Sequence, residues 1–267
     1  MTTEQVYLKK AELIALKKLG LKKSDAISVY SYAKDFEVVK AKKTNVLGVD
    51  VDTATIEAIA NTYYWLDSHG DVHGKGCFTK SIKENIKNIY HLDNHNHLFS
   101  GVIGKVVGIK EVVKSWQELG VNKGGNTICV LGTSEISEEY NAQAVDLYAN
   151  KLVYNHSVGM VYVNIELAIK EKKSEYEAEN KVWDEVYPLL GNPEDADNQG
   201  WFWHVKEAKL KEFSGLLWDG SNTLTPTQSV EIEQEAEIIT SSEIEPLQDT
   251  QVDVAKLAAL NIFKTKI

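Results

Sequence analysis

The stretch 154–163 reads Tyr154-Asn155-His156-Ser157-Val158-Gly159-Met160-Val161-Tyr162-Val163. A polar turn leads into residues 161–166, where Val and Ile alternate with Tyr, Asn and Glu. This period of two is typical of a half-buried β-strand, and it places Ser157 at the entrance of the strand. Gly159 follows two residues later and leaves room for another backbone or a substrate to approach closely. An ordinary buried strand carries the same pattern, so any function has to be argued from the rest of the chain.

The composition indicates a globular protein and disfavours several classes of function. Of 267 residues, 43% are hydrophobic and 25% are charged, as in one sizeable domain with or without appendages. No apolar run approaches the length of a membrane span, and the N-terminus lacks the pattern of a secretory signal. The net charge of −10 argues against nucleic-acid binding by the chain as a whole. Only two cysteines, Cys77 and Cys129, are present, without a paired spacing, which favours a reducing compartment over a disulfide framework.

Shifts in composition divide the chain into three parts. Residues 1–43 are basic, and their apolar side chains recur at spacings of three and four, which predicts an amphipathic helical arm. This arm either docks on the main domain or engages an acidic partner. The main domain is expected at 44–225, with an acidic surface insertion at 171–200 that contains Pro and Gly. Residues 226–267 are predicted to form an acidic linker and a short terminal helix.

Within the main domain, the residue pattern predicts a strand-rich α+β fold. Apolar and β-branched residues indicate strands at 58–65, 101–109, 127–131, 161–166, 201–205 and 208–218. A short helix is expected at 79–86, because Ile82 and Ile86 recur at helical spacing. A second helix is expected to open at Ser137, where a hydroxyl and two acids suit the first turn.

A serine hydroxyl cleaves an amide near neutral pH only with help, because it holds its proton tightly. It needs a base, normally histidine, and a third group that orients the imidazole and stabilises its charged form. The candidate bases are seven histidines, of which His91, His95 and His97 form a cluster. His156 is adjacent to Ser157, but neighbouring side chains on a strand point to opposite faces. The base is therefore expected to come from a distant segment.

The histidine cluster has two other interpretations. His95 and His97 on one strand would share a face, as two zinc ligands do, although neither cysteine has a companion at ligand spacing. Alternatively, the cluster is a polar hairpin whose histidines are only solvated. These residues alone do not decide among a base, a metal site and a solvated turn.

The order of several motifs resembles the prohead (capsid maturation) protease family of tailed phages, of the HK97 type. The matching segments, in chain order, are Gly70-Asp71-Val72, Gly76-Cys77-Phe78, Leu92-Asp93-Asn94-His95, Ile103-Gly104-Lys105-Val106, His156-Ser157-Val158-Gly159 and Leu210-Lys211-Glu212-Phe213-Ser214. The resemblance covers roughly residues 45–225. No single motif is specific, so the resemblance depends on their common order.

This resemblance implies a herpesvirus-assemblin-like β-barrel surrounded by helices and a serine endopeptidase that acts inside the phage procapsid, in the host cytoplasm. Carried over by position, Ser157 is the nucleophile, His95 the general base and Glu212 the acidic partner of the histidine. The implied substrates are major capsid protein and scaffold segments, and the protease tails themselves are further candidates. No cofactor, metal, membrane or direct nucleic-acid role is expected. Proteases of this fold often work as dimers, so a homodimer is one expectation.

The chain departs from the family pattern at several points. Asn96 replaces the usual acid after the histidine, and the gap to Ile103 is longer by two residues, so counting back without a gap selects His97 as the base. The residues after Glu212, Gly215 to Asp219, also differ from the usual run. The alternatives to a protease are a catalytically silent scaffold or capsid-interior protein that keeps the fold, and a metal-dependent hydrolase that uses the histidine cluster.

Overall fold

A computed structural model describes residues 1–20, 38–39, 41–44 and 50–231 of this protein. The expected terminal helix, the acidic linker beyond residue 231 and most of the second half of the basic arm lie outside these residues. The described part is a strand-rich α+β structure with a mixed sheet and flanking helices, which confirms the predicted class. None of its helices has the length and apolar character needed to span a membrane.

The described residues form six α-helices and ten β-strands. The helices are α1 (Thr3–Leu8), α2 (Lys10–Leu19), α3 (Thr79–Asn85), α4 (Ala142–Ala149), α5 (Glu177–Val186) and α6 (Pro193–Gln199). The strands are β1 (Val38–Val39), β2 (Ala41–Thr44), β3 (Asp50–Thr62), β4 (Asp71–His73), β5 (Tyr90–Asp93), β6 (Val102–Ser115), β7 (Asn126–Ser137), β8 (Asn155–Ile169), β9 (Trp201–Leu216) and β10 (Thr227–Glu231).

The strands form one mixed sheet in the order β1-β10-β3-β7-β6-β5-β9-β4, with β2 paired to β3 and β8 paired to β9. Three pairs are parallel, namely β1 with β10, β4 with β9 and β5 with β9. The sheet is not the closed barrel that was expected. Where β8 approaches the segment before β10, the described residues form only an isolated bridge between Asn155 and Pro226, not a ladder. Pro226 has no N–H to donate, and helices α2 and α5 pack against β8.

Strand β9 organises the part of the sheet that carries the candidate site. It pairs with β8 over nearly its whole length, while its other edge pairs first with β4 and then with β5. Two separate strands, at 201–205 and 208–218, were predicted here, and this was wrong. Lys206 and Glu207, which lie between the two predicted strands, continue one strand, and Lys206 binds Glu166 of β8 at 3.0 Å.

The helices cover the sheet through buried apolar and charged contacts. Residues 171–200, which were predicted to form a surface insertion, contain α5 and α6. Trp183 and Val186 of α5 recur at helical spacing and pack with Leu190 and Phe202. Helix α2 docks on the sheet, where Lys17 donates to Asp71 at 2.6 Å. This contact agrees with the docking alternative for the described part of the arm.

Helix α4 starts later than the sequence predicted. Ser137 is the last residue of β7, and the helix begins at Ala142 behind Asn141. The Asn141 side chain accepts hydrogen bonds from the N–H groups of Gln143 and Ala144, which are otherwise unsatisfied at a helix N-terminus. The expected cap was therefore wrong, because Asn141 is the residue whose side chain meets the first free amides.

Candidate active site

The pairing of β8 with β9 places four side-chain positions on one face of the sheet. Ser157 lies opposite Ser214, and Gly159 lies opposite Glu212. Directly paired residues of antiparallel strands share a face, and so do residues two apart on one strand. The serine predicted as nucleophile and the glutamate predicted as acid therefore lie on the same face of the sheet.

His95 joins this face from the turn after β5. Its Nδ1 lies 2.6 Å from Oε1 of Glu212, and both side chains are buried. The relative exposures are 6% for His95, 2% for Glu212 and 4% for Ser157, so the site is largely shielded from bulk water. A charged hydrogen bond in such surroundings is stronger than one in water. The structure thus brings His95 and Glu212 into direct contact, and Ser157 lies on the same face of the sheet, opposite Ser214.

The turn that carries His95 has an unusual backbone. Asn94 has a φ of 45° and His95 a φ of 56°, both in the left-handed region that residues with side chains seldom adopt. Two hydrogen bonds to β9 hold this turn, from Asn94 N–H to the Gly215 carbonyl at 3.1 Å and from His95 N–H to Ser214 Oγ at 3.0 Å. Disfavoured backbone held by its surroundings is common at functional sites. Here it directs the imidazole towards Glu212.

The contact with Glu212 distinguishes the two ring nitrogens of His95. A carboxylate oxygen accepts, so Nδ1 is the nitrogen that donates to Glu212, and Nε2 is the nitrogen left to take a proton from a substrate or a serine. Within the described residues, Nε2 is buried without a hydrogen-bond partner. No hydrogen bond between Ser157 and this nitrogen forms in the structure as it stands. A base and its serine are often this loosely arranged when no substrate is bound.

Gly159 leaves the space that Glu212 occupies. A β-carbon built at position 159 would lie 1.9 Å from Oε1 of Glu212, well inside any tolerable contact. The sequence suggested that this glycine makes room for a backbone or a substrate. The structure instead shows that the Glu212 carboxylate lies over it, between Ser157 and the rest of the strand.

The three clustered histidines occupy different environments. His95 meets Glu212, His97 is exposed, and His91 is buried beside Tyr148 and stacked on Phe213 at 4.3 Å between ring centroids. Because β5 ends at Asp93, His95 and His97 do not share a strand, as the zinc interpretation required. In the part of the chain that the structure describes, no three His, Cys, Asp or Glu side chains are grouped as metal ligands would be.

A second polar network lies on the opposite face of the same two strands. The Tyr148 hydroxyl lies 2.9 Å from Nε2 of His156 and 3.1 Å from Nε2 of His91. Nδ1 of His156 lies 3.2 Å from the Thr225 carbonyl, so this nitrogen carries the proton, and Tyr148 donates to His156 and accepts from His91. His156 thus faces away from Ser157, as the strand argument predicted.

Burial keeps this second network uncharged. Desolvation lowers the pKa of His156 from its usual 6.5 to about 4, and the bond to Thr225 only partly offsets this. Burial and the neighbouring His156 hold the pKa of His91 well below its usual range, while burial raises that of Tyr148. The network therefore acts as a neutral packing element behind the site at physiological pH.

The stability of the protein should fall as the pH falls from about 6.5 to about 4. In this window the unfolded chain binds a proton at His156 that the folded chain does not, so stability rises with pH. The lowering of the pKa of His156 corresponds to a loss of about 3 kcal/mol in the free energy of unfolding across this window. The lowered pKa of His91 changes the stability in the same direction. Urea unfolding at a series of pH values measures this slope. The slope should be smaller in His156→Gln than in wild type, and equal slopes would contradict the assignment.

Two site contributors received no role from the sequence. Ser214 follows Glu212 by two residues, and strand periodicity alone could have placed both on one face. Tyr148 lies on α4, and its hydrogen bonds to His156 and His91, together with the close approach of its hydroxyl to Gly215 of β9, place it behind the site. No local signal in the sequence identifies that contact, since it depends on how the helix packs.

Comparison with known proteins does not add to this description: no family model, curated protein or solved structure matches the chain.

Proposed function

We propose that this chain is a serine endopeptidase in which Ser157 is the nucleophile, His95 the general base and Glu212 the residue that orients the histidine. The observation that carries the proposal is the buried 2.6 Å hydrogen bond between His95 and Glu212, on the strand face that also bears Ser157. A hydroxyl, an imidazole and a carboxylate supply the nucleophile, the base and the orienting acid that peptide hydrolysis by a serine requires.

Each half of the proposed reaction has two proton transfers at His95. Nε2 takes the proton of Ser157 while Oγ forms a bond to the peptide carbonyl carbon, and the same nitrogen then returns the proton to the amine as the C–N bond breaks. Water repeats the sequence on the acyl-enzyme, which releases the acid and restores Ser157. Glu212 stabilises the imidazolium throughout by accepting the hydrogen bond from Nδ1.

The direction of the backbone N–H groups of β8 favours one donor for the oxyanion. The His156 N–H donates to the Thr225 carbonyl at 3.0 Å and therefore points away from β9. Alternate residues of a strand direct their N–H groups to the same side, so the Val158 N–H also points away from β9, whereas that of Gly159 faces the Glu212 strand. Val158 thus supplies the N–H next to the nucleophile that the β8–β9 ladder does not use, a suitable position for stabilising an oxyanion.

The biological role that we propose follows the order of motifs from Gly70 to Ser214, which resembles phage prohead proteases of the HK97 type. In this role the domain has an assemblin-like fold, works inside the procapsid in the host cytoplasm and cleaves coat-protein and scaffold segments. A homodimer and cleavage of its own tails belong to the same proposal. The support for this role is the resemblance alone, whereas the catalytic assignment is also supported by the geometry of His95 and Glu212.

A second candidate is a catalytically silent scaffold or capsid-interior protein with the same fold. The observation in its favour is that Ser157 and His95 are not hydrogen bonded and that both are buried. Access of a substrate to Ser157 requires a neighbouring segment to move. The segment at Gly220 is one candidate, since a β-carbon there would lie 3.2 Å from Ser157 Cβ.

Labelling with a fluorophosphonate probe distinguishes the two candidates without knowledge of the substrate. The probe phosphonylates a serine only when a base activates it: Oγ forms a bond to phosphorus, the P–F bond breaks and fluoride leaves, so the wild-type protein should be labelled at Ser157. Intact mass and peptide mapping identify the site, Ser157→Ala should not react, and Ser81→Ala is a control at another buried serine. No label on the wild type, or equal labelling of Ser157→Ala, would remove the support for the protease.

A further inference from the structure

The Ser214 hydroxyl connects the two groups that are proposed to activate Ser157. It donates to Oε2 of Glu212 at 2.7 Å and accepts from the His95 backbone N–H at 3.0 Å. A hydroxyl offers one donor and two acceptor positions, so both bonds can form at the same time. Ser214 is fully buried, and water therefore cannot replace it without entering the core.

These two bonds constrain different parts of the site. Because Oε1 of Glu212 meets His95 and Oε2 meets Ser214, both oxygens of the carboxylate are fixed and its plane cannot rotate freely. The hydrogen bond from the His95 N–H to Ser214 Oγ holds the backbone of His95. This residue has a φ of 56°, a conformation that residues with a side chain disfavour. The Ser214 side chain therefore fixes both the Glu212 carboxylate and the turn that carries the His95 imidazole.

We propose that Ser214 is a positioning residue of this site, which keeps Glu212 and His95 aligned with Ser157 on the opposite strand. The inference rests on the proposed function. Ser214 does not touch the reacting atoms, and it acts through the acid and the histidine. Its register opposite Ser157 places Ser214 within the site. Replacement of a buried serine that had only a structural role would leave turnover unchanged.

The kinetic test compares Ser214→Ala with wild type on an unfolded, fluorescein-labelled protein. We expect kcat to fall about 10- to 100-fold with KM within about twofold, since a hydrogen bond to a charged group is lost and no substrate contact changes. Ser214→Cys fills the same space with a weak donor and should show a similar loss. Ser134→Ala is the matched control, because Ser134 is equally buried and donates only to the Lys105 carbonyl.

The spectroscopic test does not depend on activity. The imidazole proton on Nδ1 of His95 should give a protected NMR signal, assigned by its absence in His95→Gln. In Ser214→Ala its exchange with water should be at least about tenfold faster, and in Ser134→Ala it should not change. An unchanged signal and an unchanged kcat in Ser214→Ala would overturn the inference and leave the protease intact. An inactive wild type with a signal that depends on Ser214 would instead refute the function and retain the positioning.

Discussion

Replacing His95 with glutamine should slow hydrolysis of a fluorescein-labelled unfolded protein by roughly 10⁴- to 10⁶-fold, the range expected when a serine hydrolase loses its base. Glutamine is close to histidine in size and can still donate to Glu212, so the fold should be preserved. It cannot take the proton of Ser157, because an amide nitrogen is not basic. Initial rates and fluorophosphonate labelling rates should fall together, since both depend on the activated hydroxyl.

His97→Gln is the control for this experiment, and it also tests the other alignment of the sequence. His97 is exposed, whereas His95 is buried against Glu212, so His97→Gln should keep the wild-type rate within about threefold. Circular dichroism and urea unfolding should show that both variants are folded. Should His97→Gln be the inactive variant and His95→Gln the active one, the assignment of the base would be reversed.

Periodicity was enough to predict the local features of the site. The alternation after Ser157 predicted a strand, and the same rule predicted that His156 would face away from Ser157. Both statements depend only on neighbouring residues, and the structure agrees with them. The strand that carries Glu212 was also predicted from its composition, although its length was not.

The contacts across the site could not be predicted from local pattern. Ser157 and Ser214 are opposite each other only because β8 pairs with β9 in one register, and a shift by one residue would move Glu212 to the other face. The direction of His95 depends on two left-handed residues that are not glycines, so the sequence carries no clear mark of that turn. The resemblance to a known family placed these residues together by motif order, without a physical reason.

The expected barrel illustrates the same limit at the level of the whole sheet. Strand number and composition do not determine whether two sheet edges join, because closure depends on tilt and stagger across every pair. In the described residues, β8 pairs with β9, meets the Pro226 segment by a single bridge, and is also contacted by helices α2 and α5. No local pattern indicated that α2 and α5 would pack against β8.

Gly159→Ala should abolish most of the activity although it adds only one methyl group. The new β-carbon would lie 1.9 Å from Oε1 and 2.7 Å from Cδ of Glu212, so the carboxylate must move away from His95. Loss of the residue that orients the histidine costs about 10⁴-fold in kcat in comparable sites. Leaving a buried charge without its partner should also lower the free energy of unfolding by about 3 kcal/mol. Hydrolysis rates and urea unfolding measure the two effects.

Gly108→Ala is the matched control, because its added β-carbon would come no closer than 3.6 Å to Thr133, an ordinary contact on another strand. Both activity and stability should stay near wild type in that variant. A double-mutant cycle then tests the cause, since Gly159→Ala should add little further loss once Glu212→Ala has removed the carboxylate. If the two losses simply add, the methyl group disturbs the site by a route other than Glu212, and the proposed reason for a glycine at this position fails.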